Sequence, residues 1–547
     1  MLSRPKLTQT RNFNSQKSFD TNSDFHQNYY LKLRAAIERI EGTQSKELAK
    51  YSQSYDDELK QFSFEKAPSK FFFDEISSAD MILCGDFHGQ AQSTRSLMRL
   101  CRNLKSKKKV LILECFRKED QKYIDQFLSQ KITEQDFLKK IEWSKKWSFS
   151  WSITRPLIKW ALINQIPVFG MNKISPHIQL KQRDQFFSEQ ILSIQKKYSS
   201  HQLIIQVGDF HLAEKHLPVL IRKKNHQLKL HKIYQSPDFI YFKKQTKLKS
   251  NFDSRTSDFY KLGKNNWAMM TVLPWVKWQD YLLHLESNLD NSLNDIDFTD
   301  HVDRYVDLVK QILKIKLSHE KLNVYWAGDD QVKRRLSQLP TLLRRQVKFR
   351  LSLSESCFIP ELQIGILSRL TVNHLAKIAA QYILFETGLY KKTSLHSKNE
   401  FVKMIWFEMN VYFISKITNP KRKTDTLKDI KSALQSSQNR AKEKEALILS
   451  LNQKMKELRF GTYGQVSSLP HRTRFRASSY ATASQILGGI LGEKVFSAFQ
   501  KKRIKFPESY SFIFRNTDQS QFEQLYYELI DIIESWPVPF QSKYEQF

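Results

Sequence analysis

The sequence predicts an α/β domain on a parallel sheet, entered through a helical arm and followed by a mainly helical C-terminal half. Three observations predict it. Between about Pro68 and Tyr241, apolar runs of four to five residues alternate with amphipathic stretches, as strands buried on both faces and separated by helices require. Before that region the apolar residues recur at helical spacing. From Trp278 onward strand-like runs become rare and helical spacing takes over again.

Taken in chain order, residues 1–27 are polar, rich in Ser, Asn, Gln and Thr, and are expected to be mobile. Residues 28–67 form the arm, with Tyr30, Leu33, Ala36, Ile37 and Ile40 on one helical face. Residues 68–275 form the α/β domain. Its strands are read at 81–84, 110–114, 167–171 and 203–207, and its helices at 93–104, 121–128, 156–163 and 183–194. Residues 239–242 and 268–273 are expected to add further strands. Residues 276–547 read as mainly helical: Val302, Val306, Val309 and Leu313 share a face, as do Val402, Ile405, Trp406, Met409 and Phe413. Pro420 marks a break between helices, and residues 461–470 read as a loop. Gly488, Gly489 and Gly492 sit among apolar residues and suit tight helix packing.

The composition narrows the function classes. Of 547 residues, 40% are hydrophobic and 13% aromatic, which describes a core-forming chain and excludes disorder as the whole account. Lysine and arginine total 88 against 56 acids, a net +32 that favours anionic partners such as nucleic acid or a membrane surface. Cys84, Cys101, Cys115 and Cys357 show no C-x-x-C spacing, so no zinc ribbon or disulfide scaffold is readable and reduced thiols are expected. No apolar run reaches the length of a membrane span, and residues 1–20 carry neither a signal-peptide core nor a lipidation cysteine. A cytoplasmic address is the expectation.

The tetrapeptide Gly-Asp-Phe-His occurs twice, at residues 85–88 and 208–211, each time after an apolar strand. The copies lie 123 positions apart, so they meet only if their strands are close in one sheet. In an open parallel sheet the loops at the carboxyl ends of strands line the ligand crevice. A third strand ends in Glu114, at the same edge. Asp86, His88, Glu114, Asp209 and His211 thus make a set of imidazoles and carboxylates suited to zinc, manganese or iron. A metal held there with an open position would activate water or polarise a carbonyl or phosphoryl oxygen, with Glu114 as a general base. The alternative for either copy is a capped turn, the aspartate bonding its own backbone at the start of a helix.

Two G-x-x-H motifs at strand ends with a glutamate strand between them resemble the superfamily that joins bacterial ChaN-type haem-binding proteins, Tiki proteases and erythromycin-esterase-like enzymes. The match is closer to the ChaN branch, through an ordered series. After Glu114 come a helical stretch to Trp143, then Arg155, Pro156 and Leu157, a strand ending at Asn172, and Arg183 and Asp184 opening the helix before the second motif. The resemblance spans about residues 68–243. It implies that His88, Glu114 and His211 line a ligand or metal site, with His88 and His211 as cofactor-binding residues. The cofactor would be haem or a divalent metal, the partner a small molecule or haem. One alternative is a divalent-metal-dependent hydrolase using the same residues; another, read from the charge and not from the resemblance, is a basic scaffold that binds nucleic acid or an anionic membrane.

Two further patterns stand out. Trp143, Trp147 and Trp151 recur every four residues, a stripe on one helix that suits a flat ligand or a packed interior. Lys333, Arg334, Arg335, Arg344, Arg345, Lys348 and Arg350 give seven positive charges without an acid between residues 331 and 350. Residues 420–476 carry fourteen Lys and Arg against five acids. Either basic stretch suits nucleic acid or an anionic membrane, or is a solvated face. There is no G-x-S-x-G elbow, phosphate-binding glycine loop or dinucleotide fingerprint.

Overall fold

The computed structural model describes residues 21–105, 108–147, 149–173, 178–247, 258–289, 297–317, 322–388, 400–435, 441–463, 475–501 and 519–535. Helix Thr21–Glu41 opens it, so residues 21–27 are helical. Residues 1–20 lie outside the described residues. Ser45 caps the second helix, Lys46–Gln61, by accepting from Leu48 N at 3.2 Å. The arm does not project: Tyr29, Leu33, Ile37, Tyr55 and Leu59 are buried in the core that covers one face of the sheet.

That sheet has eight strands: β1 (Glu65–Ala67), β2 (Met81–Asp86), β3 (Lys109–Arg117), β4 (Val168–Asn172), β5 (Gln202–Gly208), β6 (Leu230–Gln235), β7 (Asp258–Gly263) and β8 (Asn266–Met270). Their order is β1-β7-β8-β6-β2-β5-β3-β4, and only β7 runs against its neighbours. The central strands face apolar layers on both sides. Met81, Leu83, Leu203 and Ile205 join the arm's core, while Ile82, Cys84, Leu111 and Ile204 join the opposite one. The continuous apolar runs follow from this.

Strand β6 escapes the apolar pattern because it buries Lys232, which is compensated by Glu58 at 2.5 Å and Glu214 at 3.1 Å. Residues 239–242, expected as a strand, belong to helix Asp238–Lys247. An apolar run that short does not distinguish a strand from a buried helical turn. The tryptophan stripe is corrected too. Helix Trp143–Lys146 lasts one turn after Glu142 in left-handed conformation, and a separate helix starts at Trp151, capped by Ser150. Trp143 still meets Trp147 at 6.1 Å and Trp151 at 5.1 Å, packed with Phe116 and Phe137, so these rings fill an interior.

The arm-side core continues into helices Pro274–Leu289, Thr299–Leu313, Val372–Glu386 and Phe401–Thr418. Helix Ala477–Gln500 lies against the last of these with Gly488 and Gly492 at the crossing. A β-carbon at either would come within 2.7 Å of the backbone at Glu408 or Met409. Among the described residues the C-terminal half is mainly helical, with one small sheet of β9 (Asn323–Trp326), β10 (Cys357–Ile359) and β11 (Ile364–Leu367) in the order β10-β11-β9. Residues 461–463, expected in a loop, end helix Ala441–Tyr463, and residues 464–470 lie outside the described residues. All four cysteines are free thiols. Among the described residues no helix is long and apolar enough to cross a membrane.

Candidate functional site

The strand order puts the carboxyl ends of β2, β5 and β3 side by side, with Asp86 in register with Gly208. Both Gly-Asp-Phe-His copies therefore turn away from the sheet at one edge. After Leu113 the pairing of β3 with β4 shifts register, the kind of irregularity that re-aims a side chain, and Glu114 is buried. A β-carbon on Gly208 would sit 3.1 Å from His88 Nε2, 3.5 Å from Glu114 Oε2 and 3.6 Å from His211 Cδ2. Three of the five expected residues thus pack around the α-carbon of Gly208, so closely that residue 208 has no room for a side chain.

The hydrogen bonds give each group its state. Glu114 accepts from Gly208 N at 2.7 Å and from Arg183 Nη2 at 2.6 Å. Burial raises its pKa, but His88, His211, Arg183 and the Gly208 amide outweigh burial and hold it down at about 2. Such a carboxylate is permanently charged and a poor proton acceptor, which weakens it as a general base. His88 Nδ1 donates to Asp86 Oδ2 at 2.9 Å, and Asp86 Oδ1 accepts from Gln206 at 3.0 Å. Enclosure of the ring opposes its charge, yet the Asp86 hydrogen bond and the charges of Glu114 and Asp86 raise its pKa to about 9. His88 Nε2 stands 3.7 Å from Glu114 Oε2, beyond hydrogen-bond reach, and the side chain is 42% exposed.

His211 is buried. Its Nδ1 donates to Asp184 at 2.5 Å, and Asp184 takes a second hydrogen bond from Tyr51 at 3.1 Å. The same Tyr51 ring stacks on His216 at 3.9 Å. Asp209 does not join the group: its Oδ1 lies against the α-carbon of Gly85, buried and without a hydrogen-bond partner. Burial raises its pKa to about 7, with Lys277 pulling it back. A β-carbon on Gly85 would collide with this carboxylate, which accounts for the first glycine of that motif.

The five residues therefore do not form one ligand set. Glu114 is already held by a guanidinium and an amide, His211 by Asp184, and Asp209 faces elsewhere. Among the described residues no group of three or more His, Cys, Asp or Glu is arranged to hold a metal ion. Sequence reasoning placed Arg183 and Asp184 only at the opening of a helix, and it missed Tyr51. The adjacent pair does carry a signal: it lies near the start of helix Leu180–Lys197, which follows β4 at the same edge.

Residues 72–180 match the family model described as haem-binding uptake, Tiki superfamily, ChaN. The N-terminal half carries a ChaN-like domain. The matched part of this ChaN-like domain includes His88 and Glu114, while Arg183, Asp184, Asp209 and His211 lie beyond it. A solved structure described as cofacial heme binding to ChaN of Campylobacter jejuni is similar at 12% identity, covering 38% of this chain and 92% of that one with a TM-score of 0.26. No curated protein matches.

Proposed function

We propose that the ChaN-like domain, residues 68–275, binds haem or a related small molecule at the carboxyl edge of its sheet, with His88 presented to the iron. The observation that carries this reading is the state of His88. It alone of the three converging residues is exposed, and its Nε2 is not committed to a hydrogen bond within the site. The description of the matched family supports the ligand class. Asp86 orients the ring through Nδ1, as outer groups orient ligating histidines. Arg183 Nε is buried without a partner, a donor that would reach an anionic group of the ligand only if the site opens around it. Haem would supply redox or gas-binding chemistry; the chain's part is to position, shield and tune.

A bare divalent ion fits these residues poorly, because it would have to displace Arg183 from Glu114. The hydrolase alternative is better read as metal-free: His88, charged at neutral pH, is placed to donate a proton while Glu114 balances its charge. Haem titration of the full chain followed by absorption separates the readings. A Soret band that shifts on binding and is lost in His88→Ala supports haem. Unchanged binding in that variant rules His88 out as the ligand. Turnover of an ester or amide that resists chelators and needs His88 would favour the second reading.

A further inference from the structure

The basic stretch 331–350 occupies two helices, Asp330–Ser337 and Thr341–Ser352, that cover the small sheet β10-β11-β9. Their inward side is settled: Val332, Leu336 and Val347 fill a core with Cys357, Ile359, Ile364 and Ile366. The outward side of the second helix is unusual. Arg345 and Lys348 are exposed on it, and beside them Leu342 is 71% and Leu353 46% exposed. At 100° per residue, Lys348, Arg345 and Leu342 fall on one contiguous face of the helix, and Leu353 caps its C-terminal end. Arg334 of the first helix is also exposed. The other basic stretch differs, since Lys454 is buried in ion pairs with Glu457 and Glu534.

Exposed aliphatic side chains occur elsewhere on the chain, Ile163 at 79% among them, but here two stand on the same side as exposed cations. A helix lying in the headgroup region of a membrane uses both kinds of residue, the cations on lipid phosphates and the leucines in the acyl boundary. We infer that the outer face of helix Thr341–Ser352 docks on an anionic lipid bilayer. Nucleic acid is the weaker partner for this face, because a phosphate backbone takes the charges and offers nothing to Leu342.

The test is co-sedimentation of the full chain with vesicles of pure phosphatidylcholine or with about 30% phosphatidylglycerol added. Binding is expected only to the anionic vesicles. Arg345→Gln with Lys348→Gln should weaken it about 25-fold, at about fivefold per charge, and Leu342→Ser about tenfold. His88→Ala should leave it unchanged, which keeps this test separate from the haem site. Equal binding to both vesicles, binding to neither, or indifference to the paired Gln substitutions would overturn the inference. So would capture of a DNA or RNA duplex, unaffected by Leu342→Ser, in the absence of vesicle binding.

Discussion

Asp184 bridges His211 and Tyr51, one oxygen to each, at 2.5 and 3.1 Å. Since a carboxylate only accepts, His211 donates from Nδ1, and its Cδ2 edge faces Gly208. The bridge joins the arm to the site, for Tyr51 lies in helix Lys46–Gln61. Asp184→Ala leaves two buried donors without an acceptor, at about 1–3 kcal/mol each. A clearly lower urea midpoint is expected. Tyr51→Phe keeps the stack on His216 and should cost no more than about 1.5 kcal/mol. Equal midpoints for wild type and Asp184→Ala would show that the bridge is not a stabilising element.

Gly208→Ala separates the site from the fold. The new methyl would lie 3.1 Å from His88 Nε2, and His88, being exposed, is able to yield. The expected outcome is a melting temperature within a few degrees of wild type together with loss of haem binding, because the methyl displaces His88 from its place beside Glu114. Full binding in a folded Gly208→Ala protein would place the ligand elsewhere.

The central strands and the pairing of the two Gly-Asp-Phe-His copies were legible because burial on both faces leaves continuous apolar runs at 81–84 and 203–207. Strand β6 was not, since Lys232 interrupts its pattern and its compensating Glu58 stands 174 positions away. The meeting of His88, Glu114 and His211 at one sheet edge was legible from their strand-end positions. Equal sequence context did not give Asp86 and Asp209 equal roles: one orients His88, the other packs against Gly85. Arg183, Asp184 and Tyr51 act through distant contacts, which no local spacing encodes. The tryptophan spacing looked helical, but Glu142 and Ser150 set helix limits that divide it.

Asp209 gives a stability prediction with a definite sign. Its folded pKa, raised by burial from 3.8 to about 7, means that the folded state favours the protonated acid. Stability is therefore lost as pH rises from about 4 through 7, where the unfolded chain ionises more readily. Asp209→Asn removes that ionisation. The variant should gain on wild type in denaturant midpoint between pH 5 and pH 8; a constant difference across that range would contradict the buried-acid account.

His88 gives the opposite sign. Its pKa is raised from 6.5 to about 9, enclosure being outweighed by Asp86 and Glu114, so its charge stabilises the fold below about pH 6.5 and that contribution is lost as pH rises through 9. Iron needs the neutral ring, so ligation at Nε2 competes with a proton. Apparent haem affinity should climb about tenfold per pH unit from 7 toward 9 and then level off. Asp86→Asn removes a hydrogen bond and a charge that hold the proton, so it should raise affinity at pH 7 and flatten the climb. It also loosens the ring, which lowers the plateau above pH 9. Soret titrations of both proteins across this range read the two effects separately, and a flat wild-type profile would remove His88 from the iron.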